Sequence, residues 1–245
     1  MAFLEDPKGT FTPTQVEKTQ QSLTYAIDRY LAILRHLYTV AKREWNMDVE
    51  NPVSQVTRCR ESRPRTRFLS DDERQRLLAA CKQSHNGYLY PIVMLALSTG
   101  MRKMEILNLN WADIDFDHSL VYVRDSKNGE PRAVALTGPI LTILRDLRDS
   151  QELCAHCDLV FASPNACRPL DFDNSWYVAL RRSGVKSFVF HDTRHTAASY
   201  LAMNGATLVD IAAILGHRDL KQTMRYAHLS QHHTRGILER MTSTL

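Results

Sequence analysis

The sequence predicts a mainly α-helical chain with one small antiparallel β-sheet, an α+β arrangement. Three observations carry that expectation. Apolar residues recur at three- and four-residue steps through several long windows. Residues that start and stop helices bracket those windows. Between Asp113 and Leu136 the apolar period drops to two, around an Asn128-Gly129 pair.

Thr12-Pro13 opens a helical region running to about Trp45. Ile27, Leu31, Leu34, Tyr38, Ala41 and Trp45 share one face of it, while Arg35, Lys42 and Arg43 lie elsewhere. Asn51-Pro52 ends the region. Ser70-Asp71-Asp72-Glu73 reads as a capping box, so a helix should run from Asp71 to about Lys82. Tyr90 to Ser98 is an apolar helix with Pro91 in its first turn and Gly100 as its stop. A further helix carries Arg102, Glu105, Ile106 and Leu109. Strands follow at Leu120–Val123 and Ala133–Leu136, with Asn128-Gly129 as their turn. Helices are expected at about Ile140–Asp149, Asn174–Arg182, Asp192–Asn204, Leu208–Leu215, Leu220–Ala227 and Thr234–Met241, with Gly205 and Gly216 at helix ends.

The chain has 245 residues, which suits one large domain or a medium one with a small partner. A hydrophobic share of 44% supports a packed core and excludes a disordered chain. The net charge of +4 permits an anionic partner without demanding one. Its distribution is more telling. Five arginines and one acid occupy Arg58 to Arg67, either as a solvated linker or as a phosphate-contacting strap. The change in composition places a domain boundary near Arg63-Pro64, dividing the chain into residues 1–63 and 64–245. No basic start with an apolar run opens the chain, and no apolar stretch approaches a membrane span. The expectation is a cytoplasmic protein with free thiols. Cys154-Ala155-His156-Cys157 has zinc-like spacing, but with Cys167 it lacks a second matching pair, so no metal site is expected.

The chemistry concentrates in four separated pieces. Thr99-Gly100-Met101-Arg102 supplies an arginine behind a glycine, and His191-Asp192-Thr193-Arg194-His195 a second arginine between histidines. Leu215-Gly216-His217 follows, and Thr223-Met224-Arg225-Tyr226 ends the series. Arginine offers a charged, forked donor matched to phosphate oxygens. Histidine holds or moves protons near neutral pH. A tyrosine can attack phosphorus once its proton is taken or its anion stabilised, since a free phenol has a pKa of about 10. His191 and Arg194 stand three residues apart and can face one site, which would turn the adjacent His195 into the packing. Glu105, one turn beyond Arg102, could orient that arginine or cap nearby backbone. Together these groups are what cleaving a phosphodiester without a metal requires, and no carboxylate cluster reads as a magnesium site.

In these motifs, and in their order from about Leu23 to about Ile237, the chain resembles the tyrosine recombinases, the phage integrase family. The resemblance implies that residues 64–245 form the family's catalytic domain. Residues 1–63 would be a linker and the later helices of its core-binding domain, whose first half is missing here. It implies catalytic roles for Arg102, Lys127, His191, Arg194, His217 and Tyr226. Tyr226 would attack phosphorus and leave a 3′-phosphotyrosyl bond. Arg102, Arg194 and His217 would hold the non-bridging oxygens, and His191 would help remove the tyrosine proton. Lys127, on the hairpin, would protonate the departing 5′-oxygen, with Arg124, Arg132 and Lys103 as substitutes. DNA contacts are expected from Lys42, Arg43, Arg60, Arg63, Arg65 and Arg67.

The implied partner is double-stranded DNA. A homotetramer would form on recombining duplexes and a monomer or weak oligomer away from them. No cofactor is implied, and an accessory DNA-bending protein is left open. The helix near Thr234–Met241 would pack onto a neighbouring protomer or back on its own domain. Competing readings are a type IB topoisomerase, a catalytically silent relic that only binds DNA, and a helical interaction protein. The intact Arg102, His191, Arg194, His217 and Tyr226 weigh against a relic, and the shortened amino end weighs for one.

Overall fold

The computed structural model describes residues 13–56, 67–124, 131–150, 157–163, 166–230, 239 and 241–242. Contacts within the chain divide it into two compact units, Met1–Arg65 and Thr66–Leu245.

The first unit is one long helix with a folded-back tail. Helix α1 spans Pro13–Arg43 and ends on Lys42 and Arg43, cations that suit the negative end of a helix. A short 3-10 turn at Pro52–Gln55 packs back on it. Asn51 caps that turn by accepting from the Val53 N–H at 3.0 Å, and Arg35 donates to the Val53 carbonyl at 3.1 Å. Val53 and Ala41 are buried, whereas Ile27, Leu34 and Trp45 of the expected apolar stripe are exposed.

The second unit is built around α3 (Leu89–Thr99), whose Leu89, Ile92, Val93, Leu95 and Ala96 are fully buried. Around it lie α2 (Asp71–Lys82), α4 (Lys103–Leu107), α5 (Pro139–Ser150) and α7 (Asp192–Met203). Helix α6 (Asp173–Ser183) packs on α2, and α8 (Leu208–Leu215) on α7. The expected capping box is present: Ser70 accepts from the Glu73 N–H, and Glu73 accepts from the Ser70 N–H. Thr207 and Asp210 form a second one at the start of α8. Arg102 is the N-cap of α4, and Leu109 lies beyond that helix, which is shorter than expected.

Strands β1 (Ile114–Asp115), β2 (Leu120–Val123) and β3 (Arg132–Ala135) form a three-stranded antiparallel sheet in that order. Its register pairs Val121 with Val134 and Val123 with Arg132. Val121, Val123 and Val134 face the core while Tyr122 is exposed, the alternation of a half-buried sheet.

Three expectations need correction. Besides the single expected sheet there is a second, separate hairpin, β4 (Ala162–Ser163) with β5 (Ala166–Pro169). Its strands are too short, and too poor in β-branched residues, to show a period of two. Cys157 and Cys167 are disulfide-bonded rather than free, because this hairpin doubles the chain back and sets their Cα atoms 5.3 Å apart. Cys81 is free and buried, while Cys154 and Cys59 lie outside the described residues. Finally, the helix expected over Leu220–Ala227 is two 3-10 segments, Leu220–Gln222 and Met224–Ser230. They break at Thr223, which is fully buried and turned inward by a hydrogen bond. Residues 231–238, most of the last expected helix, lie outside the described residues, as do Asn128 and Gly129 of the expected turn. No described helix is long and apolar enough to cross a membrane.

Candidate active site

Two glycines let three segments converge. Gly100 ends α3 with φ +65° and sits against Leu215 and Ala197, where an added Cβ would collide with the Leu215 side chain. Gly216 ends α8 with φ +70°. Both positions need the left-handed backbone that glycine adopts without strain. The end of α3, the start of α7 and the end of α8 therefore approach each other closely.

Arg194 closes the convergence. It is almost fully buried and donates from Nη1 to the Gly100 carbonyl at 2.8 Å and from Nη2 to the Leu215 carbonyl at 2.7 Å. Burial, and then the neighbouring Arg102 cation, lower its pKa to about 9. Arg102 is less buried. It donates from Nη1 to Glu105 Oε1 at 2.7 Å, and its backbone N–H donates to Glu105 Oε2 at 2.9 Å. Burial alone would raise the Glu105 carboxyl, but hydrogen bonds from Arg132 and from the Arg102 backbone leave it below its ordinary value. Glu105 thus does both things its spacing allowed, holding the Arg102 side chain and capping its backbone.

His217 follows Gly216 directly, and its Nδ1 lies 2.8 Å from Thr223 Oγ1. Burial, followed by Arg194 and Arg102, lowers its pKa to about 4, so the ring is neutral at physiological pH. His191 precedes α7 and is exposed overall. Lost hydration, and then Arg194, hold it below the usual histidine range.

Tyr226 is 2% exposed, in a small apolar cluster with Ala198, Ala202, Ile211 and Leu215. Burial raises its pKa, against the pull of Arg225 and Arg194. Its hydroxyl lies 2.5 Å from Nδ1 of His195. Adjacency to Arg194 suggested that His195 turns away into the packing, and the structure corrects this. His195 also stands four residues after His191, on the same helical face, and the two rings lie 5.3 Å apart. That four-residue spacing was the legible signal. Burial and the neighbouring His191 lower the His195 pKa to about 4, leaving a neutral ring that can accept the phenol proton.

Arg102, His191, Arg194, His217 and Tyr226 are therefore brought together. Lys127 lies outside the described residues, as do Arg60, Arg63 and Arg65. Its three substitutes are each held by a carboxylate: Arg124 by Asp113 at 2.5 Å, Lys103 by Asp173 at 2.5 Å and Arg132 by Glu105 at 2.8 Å. Lys42 and Arg43 line a concavity of the first unit with Tyr38, Asn51 and Gln55. Arg67 pairs with Glu73 at 2.5 Å. Among the described residues no group of histidine, cysteine and carboxylate side chains could hold a metal ion.

The phage integrase family matches residues 67–233. Over 200 residues the chain is 34% identical to a shufflon-specific DNA recombinase of Escherichia coli, covering 81% of this chain and 50% of that protein. It is 29% identical over 219 residues to the integrase of Salmonella phage P22, covering 83% and 54%. It is 28% identical over 233 residues to tyrosine recombinase XerA of Saccharolobus solfataricus, covering 94% and 72%. The chain spans about half the length of the first two relatives. Among solved structures, a XerA recombinase superposes with TM-score 0.59 at 27% identity, over 94% of this chain and 83% of that one. The catalytic domain of bacteriophage HP1 integrase gives 0.55 at 26% identity, over 70% and 93%. A lambda integrase dimer bound to a COC′ core site shares the fold at TM-score 0.66 and 21% identity, over 85% and 60%.

Proposed function

The chain belongs to the phage integrase family, and from that premise we propose that it cleaves and rejoins duplex DNA at a specific site through a 3′-phosphotyrosyl intermediate. One observation carries the reading. Arg194 bonds the carbonyls of Gly100 and Leu215, which gathers the segments bearing Arg102, His191 and His217 into one cationic cluster. Tyr226 attacks phosphorus in line, and the 5′-oxygen leaves. The bond energy stays in the phosphotyrosyl ester, so a 5′-hydroxyl from another strand reverses the step. Arg102, Arg194 and His217 stabilise the charge on the non-bridging oxygens. The hydroxyl's present partner supports His195, with the proton on Nε2, as first acceptor of the phenol proton, and His191 lies beside it. Engagement of Arg124, Lys103 and Arg132 by carboxylates supports Lys127 as the general acid.

Residues 64–245 act as the catalytic domain, and residues 1–63 as part of a core-binding clamp with linker. Lys42, Arg43, Arg60, Arg63 and Arg65 contact phosphates, while Arg67 contributes less because Glu73 already holds it. The working form is a homotetramer on two duplexes, monomeric or weakly associated without DNA, in the cytoplasm.

The test is covalent capture. The chain is incubated with nicked duplexes carrying a randomised core, and detergent-resistant adducts are recovered and sequenced. Adducts are expected at Tyr226, in EDTA as well as in magnesium. Sequence-selective binding without any adduct would establish the silent binder instead.

A further inference from the structure

We propose that Arg132, at the start of β3, is a positioning residue that keeps Arg102 available to phosphate and fixes the His217 turn against it. The proposal rests on the strand-transfer reading above.

Arg132 is nearly buried and makes three bonds to two different segments. Nη2 donates to Glu105 Oε2 at 2.8 Å and Nη1 to Glu105 Oε1 at 3.3 Å, while Nε donates to the Ile214 carbonyl at 3.0 Å. Its side chain also lies close against Gly216, where an added Cβ would fall 2.9 Å from Nη1 and 3.2 Å from Cζ. One planar group therefore joins β3, the Glu105 carboxylate and the turn that delivers His217. Arg194 bridges the neighbouring carbonyls of Gly100 and Leu215, so two arginines set one separation.

The second consequence is electrostatic. Glu105 is buried and offers two oxygens. Arg132 occupies both, so Arg102 places only its Nη1 on that carboxylate and, among the described residues, keeps Nε and Nη2 for another anion. Without Arg132, a buried carboxylate would have one cation left, and the cheapest compensation is to draw the whole Arg102 fork onto itself. Arg102 would then be neutralised where the phosphate needs it. The flat fork also explains why arginine stands here. A lysine ammonium cannot reach both Glu105 oxygens and the Ile214 carbonyl together.

The experiment compares the parent with Arg132→Lys, Arg132→Gln and the double change Glu105→Gln, Arg132→Gln. The probe is the nicked duplex recovered from the parent's adducts. Single-turnover adduct formation, equilibrium DNA binding and melting temperature are measured on each. Both single variants should form adducts more slowly by ~10-fold or more, while DNA affinity stays within about 3-fold because the Arg102 contact is only one among many to phosphate. The double variant should be no slower than Arg132→Gln, since the carboxylate that captures Arg102 is gone. Guanidinium ion added to Arg132→Gln should restore part of the rate, which a purely structural role would not show. If Arg132→Gln melts below the assay temperature, Arg132→Lys decides, because it keeps the stem and the charge. Adduct formation at the parental rate in Arg132→Lys would overturn the proposal, as would a loss confined to DNA affinity. A parent that forms no adduct would refute the strand-transfer reading and this proposal together. A reactive parent with unimpaired variants would refute this proposal alone.

Discussion

Replacing Tyr226 by phenylalanine separates the chemistry of this residue from its packing. The ring is 2% exposed and fills an apolar cluster, and phenylalanine keeps that ring in place. Only the hydroxyl is lost, together with its 2.5 Å contact to His195 Nδ1. Leaving a buried acceptor unpaired costs roughly 1–3 kcal/mol. His195 is only partly buried, so water can reach the ring, and the hydroxyl no longer needs to be desolvated. Both effects bring the net loss to about 1 kcal/mol, or ~2–4 °C in melting temperature for a chain of this size. Tyr226→Ala instead empties the site and should lose ~3–5 kcal/mol. Adduct formation must vanish in both, because neither side chain can form a phosphate ester. The assay is thermal melting beside covalent capture on a nicked duplex. A detergent-resistant adduct from Tyr226→Phe would refute the nucleophile assignment. A melting temperature as low as that of Tyr226→Ala would refute the division between ring and hydroxyl.

Arg102→Lys and Arg194→Lys should each lose ~10²-fold or more in cleavage, as expected for a transition-state donor. Arg194→Lys should also melt lower, because lysine cannot hold the Gly100 and Leu215 carbonyls together; parental rates in either variant would count against the phosphate clamp. Stability should be full above pH 6.5 and fall as pH drops toward 4: burial lowers the pKa of His195 and His217 to about 4 from 6.5, so the unfolded chain binds more protons across that window. Each ring should contribute roughly 1–2 kcal/mol after allowance for solvent, and His195→Gln should flatten the pH profile of the melting temperature; an unchanged profile would sink the argument. Gly100→Ala should destabilise by about 2–4 kcal/mol, from a left-handed backbone and a clash with Leu215; a denaturation midpoint equal to the parent's would show that the α3–α8 approach is slack.

The parts of the fold that could be read from sequence are those decided by local chemistry. Ser70 and Glu73 satisfy each other's backbone donors whatever packs around them, so their helix starts where expected. Gly100 and Gly216 mark helix ends for the same reason. The parts that could not be read depend on distant partners. The β4–β5 hairpin is held by the chain doubling back and by the Cys157–Cys167 bond. The segment before Tyr226 has helical periodicity, yet Thr223 is drawn inward to His217 and the backbone tightens into 3-10 turns. Within the site, residue types pick out arginines and a tyrosine that the fold does bring near one another. They miss the hydroxyl's partner, because adjacency to Arg194 suggests that His195 turns into the packing, and that reading leaves the four-residue spacing from His191 unweighed.

What makes this cluster workable is that most of its cations are held by neutral or shared acceptors. Arg194 spends two donors on backbone carbonyls, which fix its direction and leave its charge intact. Among the described residues Glu105 is the buried carboxylate paired with these arginines, and its charge is divided between Arg102 and Arg132. Burial is the larger cause of the lowered pKa values of Arg194 and His217, and the neighbouring arginine cations, of which Arg102 and Arg132 pair with Glu105, add to it. An anion bound beside these arginines would relieve the repulsion among them. Tyr226 feels Arg194 and Arg225 directly and is also linked to the His217 ring through one buried residue. Thr223 bonds the His217 ring through its hydroxyl and accepts the Tyr226 N–H at its carbonyl, 3.0 Å away. An anion that moves the His217 ring therefore acts on the backbone that carries Tyr226, with one threonine between them. The arginines around Glu105, the His217 ring and the contact between Tyr226 and His195 belong to one connected arrangement.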